Sequence, residues 1–247
     1  MKLTGTPAYS LLVPATPGPT PRFYSSLVYD SRHDRLILFG GAVTVSPAVV
    51  EHERNDVWAL DLSSVFPTWT QLLPTSPPKP RWSHVAIYDP VRDRMIVYGG
   101  YGLTLGNVTE VLSLSLGASP AWSVLEPVGP VHPQAVGPAA VYDPVRDRML
   151  LLGGWAPTPV EDTPSAVTAL SLKYDPAWIP IAPDGLYPQR VTYNQAAYDS
   201  ASDHVILAGG SILHAPGTPS RTTARTICRS PAKRGSISTR RRTGTGR

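Results

Sequence analysis

An all-β body of stacked sheet units is the fold class this sequence predicts, and three observations carry the expectation. A stretch close to Tyr-Asp-Pro-Val-Arg-Asp-Arg-Met, followed by three apolar residues and Gly-Gly, occurs four times. The copies begin at Tyr29, Tyr88, Tyr142 and Tyr198, at intervals of 59, 54 and 56 residues. Their glycine pairs, Gly40-Gly41, Gly99-Gly100, Gly153-Gly154 and Gly209-Gly210, each fall eleven residues after the tyrosine. Self-similarity at a period of about 50 residues marks repeated supersecondary units rather than one irregular core. Finally, 28 prolines and 20 glycines are spaced between short apolar runs, which argues against long helices. Four such units in 247 residues read as one solenoid-like or ring-shaped body.

Each unit resolves into four strands. In the unit from Pro80 to Trp122, Ser83 to Tyr88 alternates into a first strand, and Asp89-Pro90-Val91-Arg92-Asp93 is a turn. There Pro90 presets φ and the aspartates cap backbone N–H groups. Met95-Ile96-Val97-Tyr98 is continuously apolar, as expected for a strand covered on both faces. Gly99-Gly100 ends it where a side chain would obstruct close backbone approach or where φ must be positive. After a variable loop, Val108 to Leu116 is a third strand and Trp122 lies on a fourth.

The first unit repeats this with Ser25 to Tyr29, Leu36 to Phe39, Asp56 to Leu62 and Trp69 to Leu73. The third uses Ala139 to Tyr142, Met149 to Leu152, Val167 to Leu172 and Trp178. The repeated Tyr and Trp residues are expected to pack between units rather than to touch a ligand.

This order of Tyr-Asp, apolar strand, Gly-Gly, variable loop, a strand such as Asn55 to Leu62 and then a Trp resembles the Kelch repeat, over about residues 7 to 210. Pro80-Arg81-Trp82-Ser83-His84 also resembles the start of a Kelch unit. Pro21-Arg22 keeps half of that start, and Val131-His132-Pro133-Gln134 departs from it. The resemblance implies a Kelch-type β-propeller, usually of about six or seven blades. About four are expected here, three complete and one split between the two ends, so the chain reads as a fragment of a larger propeller. Such motifs are specific for fold and poor for function.

The ends carry that expectation. Pro7 to Leu12 through Pro21-Arg22 parallels Pro67 to Leu72 through Pro80-Arg81, so residues 7 to 13 read as an orphan fourth strand. Val191 to Tyr198 and Val205 to Ala208 read as the first two strands of a fourth blade. A third strand around Thr222 to Cys228 would let the two ends close a ring of four. An open arc would instead leave two apolar blade faces uncovered and prone to aggregation.

Charge divides the chain at residue 220. Nine of its 22 Lys and Arg lie between Arg221 and Arg247, where there is no Asp or Glu, leaving 13 basic against 18 acidic residues before it. The blades, residues 1 to 220, are thus mildly acidic, and residues 221 to 247 form a basic, non-repeat tail, read as disordered or frameshifted. Codons exist for Arg225 through Ser238 whose reading two bases downstream gives YDLSLSGEAWIDL, a missing third and fourth strand. The rival reading is a basic tail for nucleic acid or another acidic surface. No apolar stretch is long enough for a signal peptide or a membrane span, so no membrane partner is expected. The compartment stays open, and extracellular placement would need residues before Met1.

Chemistry is sparse. The six histidines show no HxH or HxxxH spacing and the single Cys228 lies in the tail, so neither a metal site nor any cofactor is expected. Galactose oxidase, whose central domain is similar, needs a Cys-crosslinked Tyr, which nothing here matches. His84 is read as a structural residue, and Gly100-Tyr101-Gly102 as a turn rather than a dinucleotide loop. No catalytic residue is assigned.

The loops from second to third strand and from fourth to first share one rim and are long: Ala42 to Arg54, Tyr101 to Asn107, Trp155 to Ser165, Pro74 to Trp82 and Pro127 to Gly137. Within them Glu51, His52, Arg54, Arg81, Trp82, Tyr101 and Trp155 are the candidate contacts for a protein or carbohydrate. The chain is therefore read as a non-catalytic binding or scaffold module. The alternative is part of a sugar-active enzyme, of galactose oxidase or mutarotase kind, that lacks its catalytic residues.

Overall fold

A computed structural model describes residues 11–46, 49–131, 137–154, 167–181, 191–212 and 226–229. All its regular structure is β, in antiparallel sheets ordered by sequence repeat. The first blade is β1 (Ser26–Asp30), β2 (Arg35–Ser46), β3 (Val49–Asp61) and β4 (Thr68–Leu72). The second is β5 (Val85–Asp89), β6 (Arg94–Tyr98), β9 (Val111–Ser115) and β10 (Trp122–Leu125), with a two-rung ribbon, β7 (Tyr101–Gly102) and β8 (Gly106–Asn107), in its loop. The third is β11 (Ala139–Asp143), β12 (Arg148–Leu152), β13 (Val167–Ser171) and β14 (Ala177–Ile181). β15 (Val191–Asp199), β16 (His204–Ile212) and β17 (Thr226–Arg229) form the fourth sheet.

The continuous apolar run is explained by its neighbours. Met95 and Val97 point into a core shared with Ile37, Phe39 and Val57 of the first blade. Ile96 and Tyr98, on the other face of the same strand, pack against Met149, Leu151 and Leu170 of the third. Leu150 and Leu152 then meet Val205 and Leu207 of the fourth. Period-2 alternation thus serves two cores at once, which removes the polar half of the usual strand pattern. Trp122 packs on Phe39, ring centroids 4.6 Å apart, and Trp178 on Tyr98 at 5.3 Å, so both tryptophans join blades as expected.

A polar ladder on the opposite rim accounts for Tyr-Asp-Pro-Val-Arg-Asp-Arg. The buried Asp89 accepts the N–H groups of Val91 and Arg92 at 3.1 and 3.2 Å and the Nε of Arg94 at 2.9 Å. Asp143 does the same with Val145, Arg146 and Arg148. The second aspartate of each motif sits at positive φ, from 48° to 56° in Asp34, Asp93, Asp147 and Asp203, a conformation Asp tolerates. It receives the motif tyrosine's hydroxyl and, in two blades, a bidentate guanidinium from the preceding blade: Arg92 on Asp147 and Arg146 on Asp203, with shortest contacts of 2.7 and 2.6 Å. The arginines, aided by the tyrosines, hold both carboxyls below their usual range.

His33 occupies the arginine position in the first blade. It bonds Asp30 at 2.8 Å but reaches only to 3.7 Å from Asp93. His33→Arg is expected to complete the ladder and raise stability by about 0.5–1 kcal/mol, the upper range for a partly exposed ion pair. Urea unfolding of the two chains measures it, and an unchanged midpoint would mean that the ladder does not couple these blades.

Two expectations about element boundaries change, and a third gains its bounds. Ala42 to Arg54, expected as a loop, is a bulged β ribbon, because Val43-Thr44-Val45 and Val49-Val50 favour extended pairing beyond the Gly pair. The third strand of the second blade starts at Val111, since the Val108 N–H turns back to the Gly100 carbonyl at 3.0 Å. The third strand considered around Thr222 to Cys228 has its described part in β17, Thr226–Arg229, which pairs with His204 to Leu207. Residues 11 to 13 carry no strand, and the rest of the proposed orphan strand, residues 7 to 10, lies outside the described residues.

The linker that follows, however, runs as the repeat parallel requires. Ala15 bonds Pro67 and Thr16 bonds Trp69, as Thr75 does to Pro120 and Trp122 in the next blade. The face of the first blade stays open in part, with Leu27 and Tyr29 about half exposed where Ala86 and Tyr88 are partly buried against the preceding blade.

Candidate functional site

The rim opposite the Asp–Arg ladder is organised by one residue per blade, five positions before the motif tyrosine. Tyr24, Ser83, Gly137 and Tyr193 stand there, and all have positive φ, from 55° to 64°. Only glycine adopts this region without strain, at a cost of roughly 1–2 kcal/mol for the others. A chain of backbone hydrogen bonds accounts for it: Tyr193 N–H to Gly137 (2.8 Å), Gly137 N–H to Ser83 (3.2 Å) and Ser83 N–H to Tyr24 (3.0 Å). These bonds link the first strands of neighbouring blades; of the side chains they position, Tyr24 and Tyr193 are exposed and Ser83 is buried.

At two of the four positions that side chain is a tyrosine. Tyr24 lies 5.2 Å from Tyr193, 5.4 Å from Trp82 and 5.1 Å from Phe23, and Trp82 lies 5.3 Å from Tyr101, all ring centroid to centroid. Trp82 and Tyr101 exchange two backbone hydrogen bonds, at 2.8 and 2.9 Å, so the rings are held by the sheet as well as by each other. Tyr24 and Tyr193 are nevertheless 46% and 45% exposed. Five aromatic residues from three blades thus form one rigid, partly exposed patch, the composition that dominates binding energy at interfaces.

The glycine pairs make room for it. A Cβ on Gly40 would fall 2.9 Å from the Arg81 carbonyl and from the His84 ring, and one on Gly100 would lie 3.0 Å from the Trp82 carbonyl. His84 is buried, with Nε2 2.9 Å from the Ser26 hydroxyl. Burial, with the Arg81 cation beside it, pushes its pKa down to about 3, so the ring is neutral.

The residues anticipated from sequence separate into three groups. Trp82 and Tyr101 lie in the patch. Arg81 does not: it is 1% exposed, bonds the Lys79 and Gly99 carbonyls and pairs with Glu110, so its charge is consumed inside the blade. Arg22 is the same element in the first blade, bidentate on Asp56 at 2.6 and 3.0 Å. Against the pull of burial, the bonds from Arg22 and Trp58 hold Asp56 below its usual range.

His52 and Arg54 stand on the β2–β3 ribbon, His52 exposed and Arg54 half-buried, and Glu51 belongs to the same strand. Glu53 ties that ribbon to the second blade by accepting the Leu103 N–H at 2.8 Å. Trp155 lies outside the described residues. Phe23, Tyr24 and Tyr193 were not anticipated. Tyr24 and Tyr193 share a phase in the repeat, but Ser83 at the same phase is buried, so the exposure of the two rings is decided by the fold.

On the other rim, ligand atoms of Asp30, His33 and Asp93 lie within 4.8 Å of one another. Arg35 already bonds Asp30 at 2.8 Å and Arg32 lies 3.7 Å from Asp93, so guanidinium charge fills the place a cation would take. Among the described residues no helix is long and apolar enough to cross a membrane.

Comparison with known proteins agrees with this architecture. The family model described as the KLHDC2/KLHL20/DRC7 Kelch-repeats domain matches residues 4–210. Putative adagio-like protein 2 of Oryza sativa subsp. japonica is 25% identical over 185 residues, covering 74% of this chain and 27% of its own length. Adagio-like protein 3 of the same plant is 26% identical over 167 residues, covering 67% and 25%. The chain therefore spans about a quarter of the curated relatives it matches. A solved structure titled "Structure of YjhT" superposes with a TM-score of 0.58 at 20% identity, over 78% of this chain and 60% of that one, a likeness of fold.

Proposed function

This chain belongs to the Kelch-repeat domain family, and from that premise we propose that it is a non-catalytic protein-interaction module whose binding surface is the aromatic patch at the axial rim. The observation that carries the reading is an exposed aromatic cluster displayed from a fixed backbone. Tyr24 and Tyr193 hold left-handed backbone conformations that cost free energy, and the rings thus displayed stay about half exposed in a cluster with Trp82. The backbone hydrogen bonds that join the blades hold these conformations, so the rings are fixed before any partner arrives. Rigid aromatic side chains with a polar tip lose little entropy on binding, which suits them as anchors. His52 and Arg54 on the neighbouring ribbon supply a polar flank.

Affinity capture from extracts of the native host, with wild-type chain and with Tyr24→Ala/Tyr193→Ala, tests the surface. Loss of two anchors is expected to weaken retention of a specific protein at least tenfold, the scale of interface hot spots. Equal retention by both chains, with the variant's unfolding midpoint unchanged, would remove the patch from the interface. Retention of a glycan in place of a protein would favour the carbohydrate reading of the same rim.

A further inference from the structure

Beneath the aromatic patch the inner edges of β1, β5, β11 and β15 border an axial channel of about 190 Å³. At roughly 30 Å³ per water it holds several waters, and so has room for one side chain. Its wall carries Ser25, Ser26, His84, Asn194 and Gln195 among small apolar residues. Asn194 directly follows the exposed Tyr193, is 3% exposed, and among the described residues neither its amide Nδ2 nor its Oδ1 has a hydrogen-bond partner. Buried polar atoms without partners are rare, because each forfeits the hydrogen bonds it made in water.

We propose that the protein segment bound at the rim inserts one neutral primary amide, the side chain of an Asn or Gln, into the mouth of this channel. This rests on the rim reading above and names the chemistry that rim selects. A primary amide both donates and accepts, so it complements Asn194 at both of its open atoms. Charge is disfavoured: His84 is neutral, Arg22 and Arg81 are committed to Asp56 and Glu110, and Arg54 does not border the channel. A carboxylate or ammonium would enter without a counter-ion, and an aliphatic side chain would leave the Asn194 amide sealed from water without a bond.

A displayed library of random seven-residue peptides, selected separately on wild-type chain, Asn194→Leu and Tyr24→Ala/Tyr193→Ala, tests this. Wild-type selection is expected to enrich Asn or Gln at one position at least tenfold over Asp, Glu, Lys, Arg and Leu. Asn194→Leu should abolish that preference while keeping apolar and aromatic flanks. A charged or aliphatic residue at that position, or an amide preference that survives Asn194→Leu, overturns the proposal and leaves the rim reading standing. Peptides retained equally by the double tyrosine variant, or no retained peptide at all, overturn the rim reading and this inference together. Should Asn194→Leu not fold, a selected peptide with its amide residue changed to Glu or Met is titrated on the wild-type chain. Binding at least tenfold weaker is expected for both, and unchanged affinity for either overturns the inference.

Discussion

Asp89→Ala is expected to lower the unfolding free energy by about 3 kcal/mol, the lower end of the range for breaking a buried ion pair. Asp89 is 0% exposed and serves three structures at once: two backbone N–H groups of its turn, the Arg94 Nε and the Arg92 guanidinium. Removing the carboxylate leaves Arg94, with a side chain only 15% exposed, without its anion, and leaves the turn donors unpaired. Arg92 retains its bidentate pair with Asp147, which bounds the loss. Asp89→Asn keeps an oxygen for the turn and is expected to recover about 1 kcal/mol of it, the net worth of a neutral hydrogen bond. Denaturant titration of the three chains measures both. Equal midpoints for wild type and Asp89→Ala would refute the ladder as a source of stability.

Gly40→Ala is expected to cost a comparable amount, about 3 kcal/mol, for two separable reasons. The position has φ +63°, which an L side chain occupies at roughly 1–2 kcal/mol. Its Cβ would also lie 2.9 Å from the Arg81 carbonyl and 3.2 Å from that of Arg54, backbone atoms with little freedom to move. Gly209 has φ +69° and nothing within 4 Å of its Cβ. Gly209→Ala isolates the conformational part and should cost about half as much. Thermal unfolding of the two variants separates the contributions. A loss at Gly40 no larger than at Gly209 would mean the contact with the next blade is soft.

The contrast between these two glycines locates the limit of what repetition conveys. The motif is the same at both, yet only Gly40 is pressed against a following blade. Similarly, Arg81 looked like a rim contact because Pro-Arg-Trp-Ser-His lies in a long loop; in the fold its guanidinium turns inward to Glu110 while its neighbour Trp82 turns outward to Tyr101. Adjacent residues on an extended chain face opposite ways, and which of them meets the blade depends on a register no repeat states.

By itself the sequence determined the all-β class, the four copies, the two-faced burial of Met95 to Tyr98 and Met149 to Leu152, and the turn chemistry of the paired aspartates. Those follow from local spacing, because strand period, turn geometry and steric exclusion at glycine all act within a dozen residues. Tertiary structure alone decided that Tyr24 and Tyr193, which are 169 positions apart, stack at 5.2 Å, and that Asn194 and His84 border one channel. Those relations arise from the rotation between successive blades. That rotation is set by how apolar faces interlock and by the hydrogen bonds linking Tyr24, Ser83, Gly137 and Tyr193, and no single repeat encodes it.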